Sequence, residues 1–140
     1  ILGTLASGWL GGKYRQNYVL SIYYLARAVI IAGFLIFPVT ETSVLIFAAL
    51  MGFMWLGTVP LTSGLVAQIF GARYLGALFG IVFFSHQIGG FLGAWLGGYL
   101  FDLTGNYDVA WMIAIALGVL AALIHWPISD RPIIRTTEGA

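Results

Sequence analysis

Residues 18–37 read YVLSIYYLARAVIIAGFLIF, an apolar run of twenty residues whose only charge is Arg27. The hydrocarbon core of a bilayer, about 30 Å thick, is crossed by about 20 apolar helical residues. This stretch therefore predicts a membrane-spanning helix. Other apolar runs flank it, and we expect spans over about 1–10 (a partial one), 44–66, 75–101 and 109–126. The sequence predicts an all-α, polytopic transmembrane helix bundle, followed by a tail over residues 128–140.

The composition supports a membrane protein and excludes several other classes. Hydrophobic residues make up 61% of the chain and charged residues 8%, with a mean hydropathy of +0.99, whereas soluble domains are about 25% charged. The chain has no Cys, and its two His and five acidic residues are scattered, so we expect no disulfide, no metal site and no cofactor. There is no Lys/Arg cluster of the kind that binds nucleic acid.

The basic residues outside the spans fall in alternate connections and predict an orientation. They are Lys13, Arg15, Arg73, Arg131 and Arg135, whereas the intervening connections carry only Glu41, Asp102 and Asp108. Because basic loops remain on the cytoplasmic side, we expect this face and the C-terminus to be cytoplasmic. The polar end of the tail, residues 130–140, is predicted to be disordered.

Small residues and one proline mark the longer runs. Gly89, Gly93 and Gly97 recur every four residues, a spacing that lets helix backbones approach closely in lipid. Tight helix packing and a sliding interface both need that spacing, and both readings stay open.

Pro60 lies inside its run and permits a kink. The neighbouring hydroxyls either bond to freed carbonyls or line a polar path; these are Thr58, Thr62 and Ser63.

Residues 8–17, GWLGGKYRQN, resemble the short basic loop of the major facilitator superfamily, Gly-x-Leu-x-Asp-basic-x-Gly-basic-basic. Gly8, Leu10 and Lys13 match this motif. Gly12 stands at its Asp position, and Arg15 begins a departure from its Gly-basic-basic end. Three further stretches are similar to bacterial transporters of the monocarboxylate-transporter-like group: YLARA at 24–28, GARYLG (with Arg73) at 71–76 and GYLFDLTGNYD at 98–108.

The resemblance implies a position within a larger carrier. It makes the chain the end of the eighth helix and helices nine to twelve of a twelve-helix transporter, which is most of its C-terminal half. The missing N-terminal half is then a partner. Such carriers work by alternating access, with two halves rocking about a central site. The resemblance to bacterial members also implies the bacterial inner (plasma) membrane.

Arg27 and a polar triplet are the first candidates for binding or coupling. Arg27 lies nine residues into its run, about 14 Å deep at about 1.5 Å per residue. Its planar fork suits a carboxylate substrate, but pairing with a backbone carbonyl or with an acid of the missing half is an equal possibility. Ser85, His86 and Gln87 form the only polar triplet inside their run. His86 either makes a helix–helix hydrogen bond or serves the cavity in binding or proton coupling.

A second group of candidates lies on the third run. Met51, Trp55, Thr58 and Thr62 share one helical face. The resemblance makes this run the tenth helix and the His86 run the eleventh, both of which line the cavity in the superfamily. An aromatic and hydroxyl face suits a small amphiphilic substrate and suits helix packing as well.

These features predict secondary transport of a small solute, a monocarboxylate or another organic anion, with symport of protons as one mode of coupling. No phosphate-binding loop or nucleophile elbow occurs in the sequence, so we predict that the protein is not an enzyme. Two alternatives stay open: an intramembrane enzyme using His86 and a non-transporting membrane scaffold. The enzyme would need a partner at similar depth, and Ser85 points about 100° away from His86 on a helix.

Overall fold

The computed structural model describes residues 1–133, and that part of the chain is an all-α bundle without strands. This confirms the predicted fold class. The helices are α1 (Leu2–Lys13), α2 (Gln16–Ile36), α3 (Glu41–Phe70), α4 (Leu75–Thr104) and α5 (Asp108–His125), with a 3-10 turn at Ala72–Tyr74. By length and composition, α2, α3, α4 with its preceding turn, and α5 can each cross a membrane.

The third helix is longer than its apolar run because both of its ends are capped. At the start, the Thr40 hydroxyl accepts from the Ser43 amide (3.1 Å), and the Ser43 hydroxyl accepts from the Thr40 amide (2.8 Å). This reciprocal capping box satisfies two amides that the helix itself cannot. At the other end, Gly71 adopts a φ of +83°, which glycine tolerates without strain. The helix therefore extends beyond the apolar run 44–66.

The centre of the bundle is α2, which packs against α5 on one side and α3 on the other, while α1 packs against α3. The buried cluster consists of residues from α2 and α3: Val19, Leu20, Tyr23, Leu61 and Leu65. In contrast, α4 has no buried residue. The fourth helix therefore presents most of its surface outward.

Close helix approach occurs at glycines other than those of the predicted stripe. A Cβ at Gly57 would overlap the Ser7 hydroxyl of α1 and approach the Tyr23 ring of α2 to 2.6 Å. A Cβ at Gly89, Gly93 or Gly97 would meet no atom within 4 Å. That stripe faces α5 across an apolar cavity of about 420 Å³. Its role in tight helix packing remains a prediction.

Polar side chains fasten α2 to the end of α5. The Asn17 amide donates to the Trp126 carbonyl (3.1 Å), and the Ser21 hydroxyl donates to the Ala122 carbonyl. Both side chains are buried. In lipid, where apolar surfaces gain little from meeting each other, such bonds and close packing hold helices together.

The start of the tail is anchored to the loop between α1 and α2. Arg15 donates to both carboxylate oxygens of Asp130, Nε to Oδ2 at 3.0 Å and Nη2 to Oδ1 at 2.8 Å. The Ile133 amide donates to the Ile69 carbonyl at the end of α3 (2.9 Å). The prediction of disorder is therefore wrong for residues 130–133, because a bidentate ion pair and a backbone bond hold them. Arg135 and the rest of the tail, 134–140, lie outside the described residues.

These contacts bring three chain segments to one end of the bundle: the α1–α2 loop, the end of α3 and the residues after α5. The connections that hold Lys13, Arg15, Arg73 and Arg131 therefore share one side. This arrangement agrees with the alternation of charge that the sequence shows. Which side of the membrane it faces stays a prediction.

Asp130→Asn is expected to loosen the tail. The hydrogen bond from Arg15 lowers the pKa of the Asp130 carboxyl below its usual value. A lowered pKa means that the contact stabilises the protein above about pH 4, the ordinary carboxyl value, and that this stabilisation is lost as pH falls through the lowered value. We expect the Ile133 amide to exchange faster in the variant at neutral pH, and in the unchanged protein only under acid conditions. Hydrogen exchange measured by mass spectrometry checks this.

The control for this prediction is Asp102→Asn, which removes an exposed acid from α4. It should leave exchange in the tail unaltered. Equal exchange at Ile133 in the Asp130→Asn variant and the unchanged protein would contradict the anchoring role of the ion pair.

Candidate functional site

A cleft of about 350 Å³ with both polar and apolar lining residues lies where α2, α3, α4 and α5 meet. Four of the predicted candidates line it: Thr58 and Thr62 from α3, and Ser85 and His86 from α4. Helical spacing explains the first pair, because residues four apart lie one above the other on the same face. The remaining lining residues are Tyr24, Val59, Phe79, Val82, Phe83 and His125.

The hydroxyl hydrogens in the cleft are directed at helix carbonyls. Thr58 donates to Trp55 (3.0 Å), Thr62 donates to Thr58 (2.8 Å) and Ser85 donates to Val82 (2.8 Å). Their oxygen lone pairs remain able to accept. The hydroxyls of Thr58 and Thr62 therefore bond to helix carbonyls and also line the cleft.

The hydroxyls near Pro60 do not bond to the helix carbonyl that the proline leaves without its backbone partner. Pro60 lacks the amide that would bond to the carbonyl of Leu56. Thr58 and Thr62 donate elsewhere, and Ser63 donates to the carbonyl of Pro60 itself (3.2 Å). The proline is nevertheless accommodated within a continuous helix.

His86 lies exposed on α4 and makes a ring contact with Phe83, with centroids 6.1 Å apart. Ser85 and His86 both reach the cleft although they are adjacent on the helix. Gln87 is not among the lining residues. Of the predicted polar triplet, two members therefore contribute to the cleft.

Arg27 lies beside the cleft and not in its wall. Its guanidinium carbon is 4.5 Å from the centre of the Trp55 ring and 5.8 Å from that of the Tyr24 ring. Within residues 1–133 no carboxylate forms an ion pair with it. An arginine over the face of an aromatic ring gains roughly 0.5–2 kcal/mol. Aromatic rings of α2 and α3 thus offset part of the unfavourable energy of a charge at this depth.

Two residues of the cleft were missed by the sequence interpretation. His125 lies at the end of α5 next to Trp126; it lines the cleft and its ring contacts the Tyr24 ring at a tilted angle, with centroids 4.9 Å apart. Tyr24 could have been found from the sequence, since it precedes Arg27 by about one helical turn and therefore lies near it on the same helix. His125 could not, because the rotation of α5 about its axis depends on its packing against α2.

The residues of the basic loop motif lie apart from the cleft. Leu10 packs against the buried cluster, and Lys13 holds its amine 5.0 Å from the centre of the Trp9 ring. A Cβ at Gly8 would meet no atom within 4 Å. Arg15 binds Asp130, and Arg73 lies over the Tyr74 ring at 5.8 Å. These residues make their contacts at the loop end of the bundle, and none of them lines the candidate site.

The bundle of residues 1–133, with four helices long and apolar enough to cross a membrane and with a cleft between them, has the architecture of a polytopic membrane protein. A family model described as Major Facilitator Superfamily matches residues 1–139. The chain belongs to the Major Facilitator Superfamily.

Several relatives are themselves named as transporters. The chain is 31% identical over 145 residues to YcxA of Bacillus subtilis, named an uncharacterized MFS-type transporter; the match covers 99% of the chain and 35% of YcxA. It is 31% identical to monocarboxylate transporter 13 of Rattus norvegicus and 33% identical to that of Bos taurus, in each case over 90% of the chain and 31% of the relative. No solved structure matches the chain significantly.

These comparisons confirm the predicted resemblance to the family. The relatives described above are named as transporters and not as enzymes. It spans about a third of the length of the curated relatives it matches.

Proposed function

We propose that the chain forms most of the C-terminal half of a twelve-helix carrier for a small organic anion, with monocarboxylates as the favoured class. Transport proceeds by alternating access, as symport with protons. The missing N-terminal half supplies the other wall of the site. The protein lies in the bacterial inner membrane with its basic loops and C-terminus in the cytoplasm.

The cleft between α3 and α4 carries this proposal. It gathers Thr58, Thr62, Ser85 and His86 beside an otherwise apolar surface. Sites for small ligands are typically apolar pockets with a few converging polar groups. A short organic anion has one charged end and one apolar end, and both kinds of surface are present here.

The solute class is supported by the relatives and by the side chains near the cleft. Two relatives are named monocarboxylate transporters. Arg27 is half-buried beside the cleft and can offer a charged hydrogen-bonding fork. His86 adds an imidazole to the cleft wall. Anion binding and proton coupling both draw on such groups.

The function is tested with the full-length protein reconstituted in liposomes. Uptake of labelled lactate, pyruvate and acetate is compared with uptake of a neutral sugar, with and without a pH gradient. We expect uptake of at least one monocarboxylate to be stimulated when the outside is acidic. Stimulation of the sugar alone would overturn the solute class.

A labelling experiment separates a carrier from a membrane scaffold. A cysteine introduced as Thr58→Cys lies in the cleft, in a chain that has no cysteine of its own. Transported solute should slow its reaction with a thiol reagent, whereas Phe91→Cys on the outward surface of α4 serves as the matched control. Equal protection at both positions, or at neither, argues for a scaffold.

A further inference from the structure

Four side chains from three helices contact one another in a row (the stack), and of these only Tyr24 and His125 line the cleft. The Trp55 ring of α3 lies 4.5 Å from the Arg27 guanidinium, which lies 5.8 Å from the Tyr24 ring of α2. The Tyr24 ring in turn lies 4.9 Å from the His125 ring of α5. The stack connects the charge beside the cleft with an imidazole that lines it.

His125 is held in one ring orientation. Its Nδ1 lies 2.8 Å from the Ala121 carbonyl. A carbonyl oxygen only accepts, so Nδ1 carries the hydrogen and Nε2 is left as the free nitrogen. In the neutral ring Nε2 has a lone pair, and in the imidazolium it is a second donor. The ring can therefore take up and release a proton at Nε2 without losing its anchor.

The cleft needs such a donor to hold an anion. The hydroxyls of Thr58, Thr62 and Ser85 donate to helix carbonyls. The lining side chains that remain able to donate are the Tyr24 hydroxyl and the two imidazoles. With both imidazoles neutral, the wall carries no charge. A proton on Nε2 of His125 gives it a positive charge and a second donor.

The groups that face His125 favour this role. From α2 they are Tyr24, in ring contact, and Arg27, one step further along the stack. From α4 the facing titratable group is His86. The residues that α3 contributes to the cleft are uncharged, and no lining residue is an acid. A carboxylate solute is therefore the natural counter-charge of the imidazolium.

We propose that His125 is the proton-carrying residue of this site and that Tyr24 and Arg27 position it. The proposal rests on the function proposed above. Nε2 accepts one proton when the cleft faces the acidic side, and the monoanion binds beside the imidazolium. After reorientation the anion leaves and Nε2 releases the same proton. One anion and one proton cross together, so no net charge moves.

The test compares two assays on the full-length protein in liposomes, with lactate as the probe. A pH difference of one unit can drive about a tenfold accumulation of a monoanion that moves with one proton. Counterflow, in which labelled lactate exchanges for unlabelled lactate at equal pH, requires no net proton movement. In the His125→Gln variant we expect accumulation to fall from about tenfold to about onefold, while counterflow remains measurable.

Two variants of Tyr24 separate positioning from folding, and a third variant tests the other imidazole of the cleft. Tyr24→Leu removes the ring that holds His125 and should lower accumulation, whereas Tyr24→Phe keeps the ring and should retain the pH dependence of uptake. His86→Gln is the matched imidazole replacement on α4. It should raise the KM for lactate and still permit about tenfold accumulation at saturating lactate.

Each result decides the proposal. Tenfold accumulation by His125→Gln would overturn it. Loss of both accumulation and counterflow in His125→Gln and Tyr24→Leu would assign the stack a structural role and overturn it as well. Counterflow without pH-driven accumulation in the unchanged protein would reject the proton role and leave the carrier intact. No counterflow of any monocarboxylate would reject the proposed function itself.

Discussion

Arg27→Met in the full-length protein is expected to lower the rate of organic-anion uptake by at least about tenfold, a loss equivalent to about 1.4 kcal/mol. Its thermal stability should be unchanged or raised. Arg27 has no carboxylate partner within residues 1–133, and a central arginine disfavours membrane insertion by about 2.5–3.5 kcal/mol. Contact with Trp55 and Tyr24 offsets only part of that energy. Replacing the charged side chain by an apolar one of similar length should therefore leave the stability of the fold unchanged or raise it.

The combination of lost uptake and retained stability is what identifies a functional charge, because functional residues are often kept at the expense of stability. Arg27→Lys should retain part of the activity, since lysine keeps the charge but has neither the planar fork nor the flat face that covers the Trp55 ring. Initial rates and melting temperatures in detergent are measured on the same preparations. Arg73→Met, at the loop end, is the matched change outside the site.

Two results would contradict this prediction. Normal uptake by Arg27→Met would remove Arg27 from the mechanism. A lower melting temperature together with lost uptake would show that Arg27 pairs structurally in the full-length protein. The sequence left that pairing open, with a backbone carbonyl or an acid of the other half as the partner.

Gly57→Ala is expected to destabilise the bundle by about 1–3 kcal/mol, the usual range for overpacking a tight interior. The added methyl group would overlap the Ser7 hydroxyl and come within 2.6 Å of the Tyr23 ring. The Ser7 and Tyr23 hydroxyls are hydrogen-bonded to each other, with their oxygens 3.0 Å apart, so neither side chain moves freely. Alanine favours helix over glycine by roughly 0.5–1 kcal/mol, which is too little to offset the overlap.

The matched control is Gly93→Ala, where the new methyl group meets no atom within 4 Å. Melting temperatures of the two variants are compared in the full-length protein. Gly57→Ala should melt lower than the unchanged protein, and Gly93→Ala should not. Equal losses at the two positions would contradict the special role of Gly57 and would favour tight packing of the Gly89–Gly97 stripe against the other half.

Much of the architecture follows from the sequence because in lipid a long apolar run must form a helix to satisfy its own backbone. Residues 18–37 alone establish a spanning segment, and the alternating basic connections agree with the contacts between Arg15 and Asp130. Helix ends were less predictable. Capping by Thr40 and Ser43 lengthened α3 beyond its apolar run, since capping depends on polar side chains and not on hydropathy.

The candidate site was predictable only in part. The single-helix periodicity of α3 placed Thr58 and Thr62 on one face, and that face lines the cleft. Periodicity within α4 and α5 could not show which faces meet, because polar residues inside these helices are few and do not recur along one face. The contribution of His125 to the cleft and the close approach at Gly57 were therefore not predicted.

Hydropathy, loop charge and the motif around Gly8 and Lys13 are local properties, and they suffice to predict a membrane-embedded helix bundle of the transporter superfamily. The folded chain was needed to show that Arg27 rests on aromatic rings, that Tyr24 and His125 complete the cleft, and that residues 130–133 are held in place. These features join residues as many as 115 positions apart. Their geometry depends on how the helices rotate and cross, which no single stretch of sequence specifies.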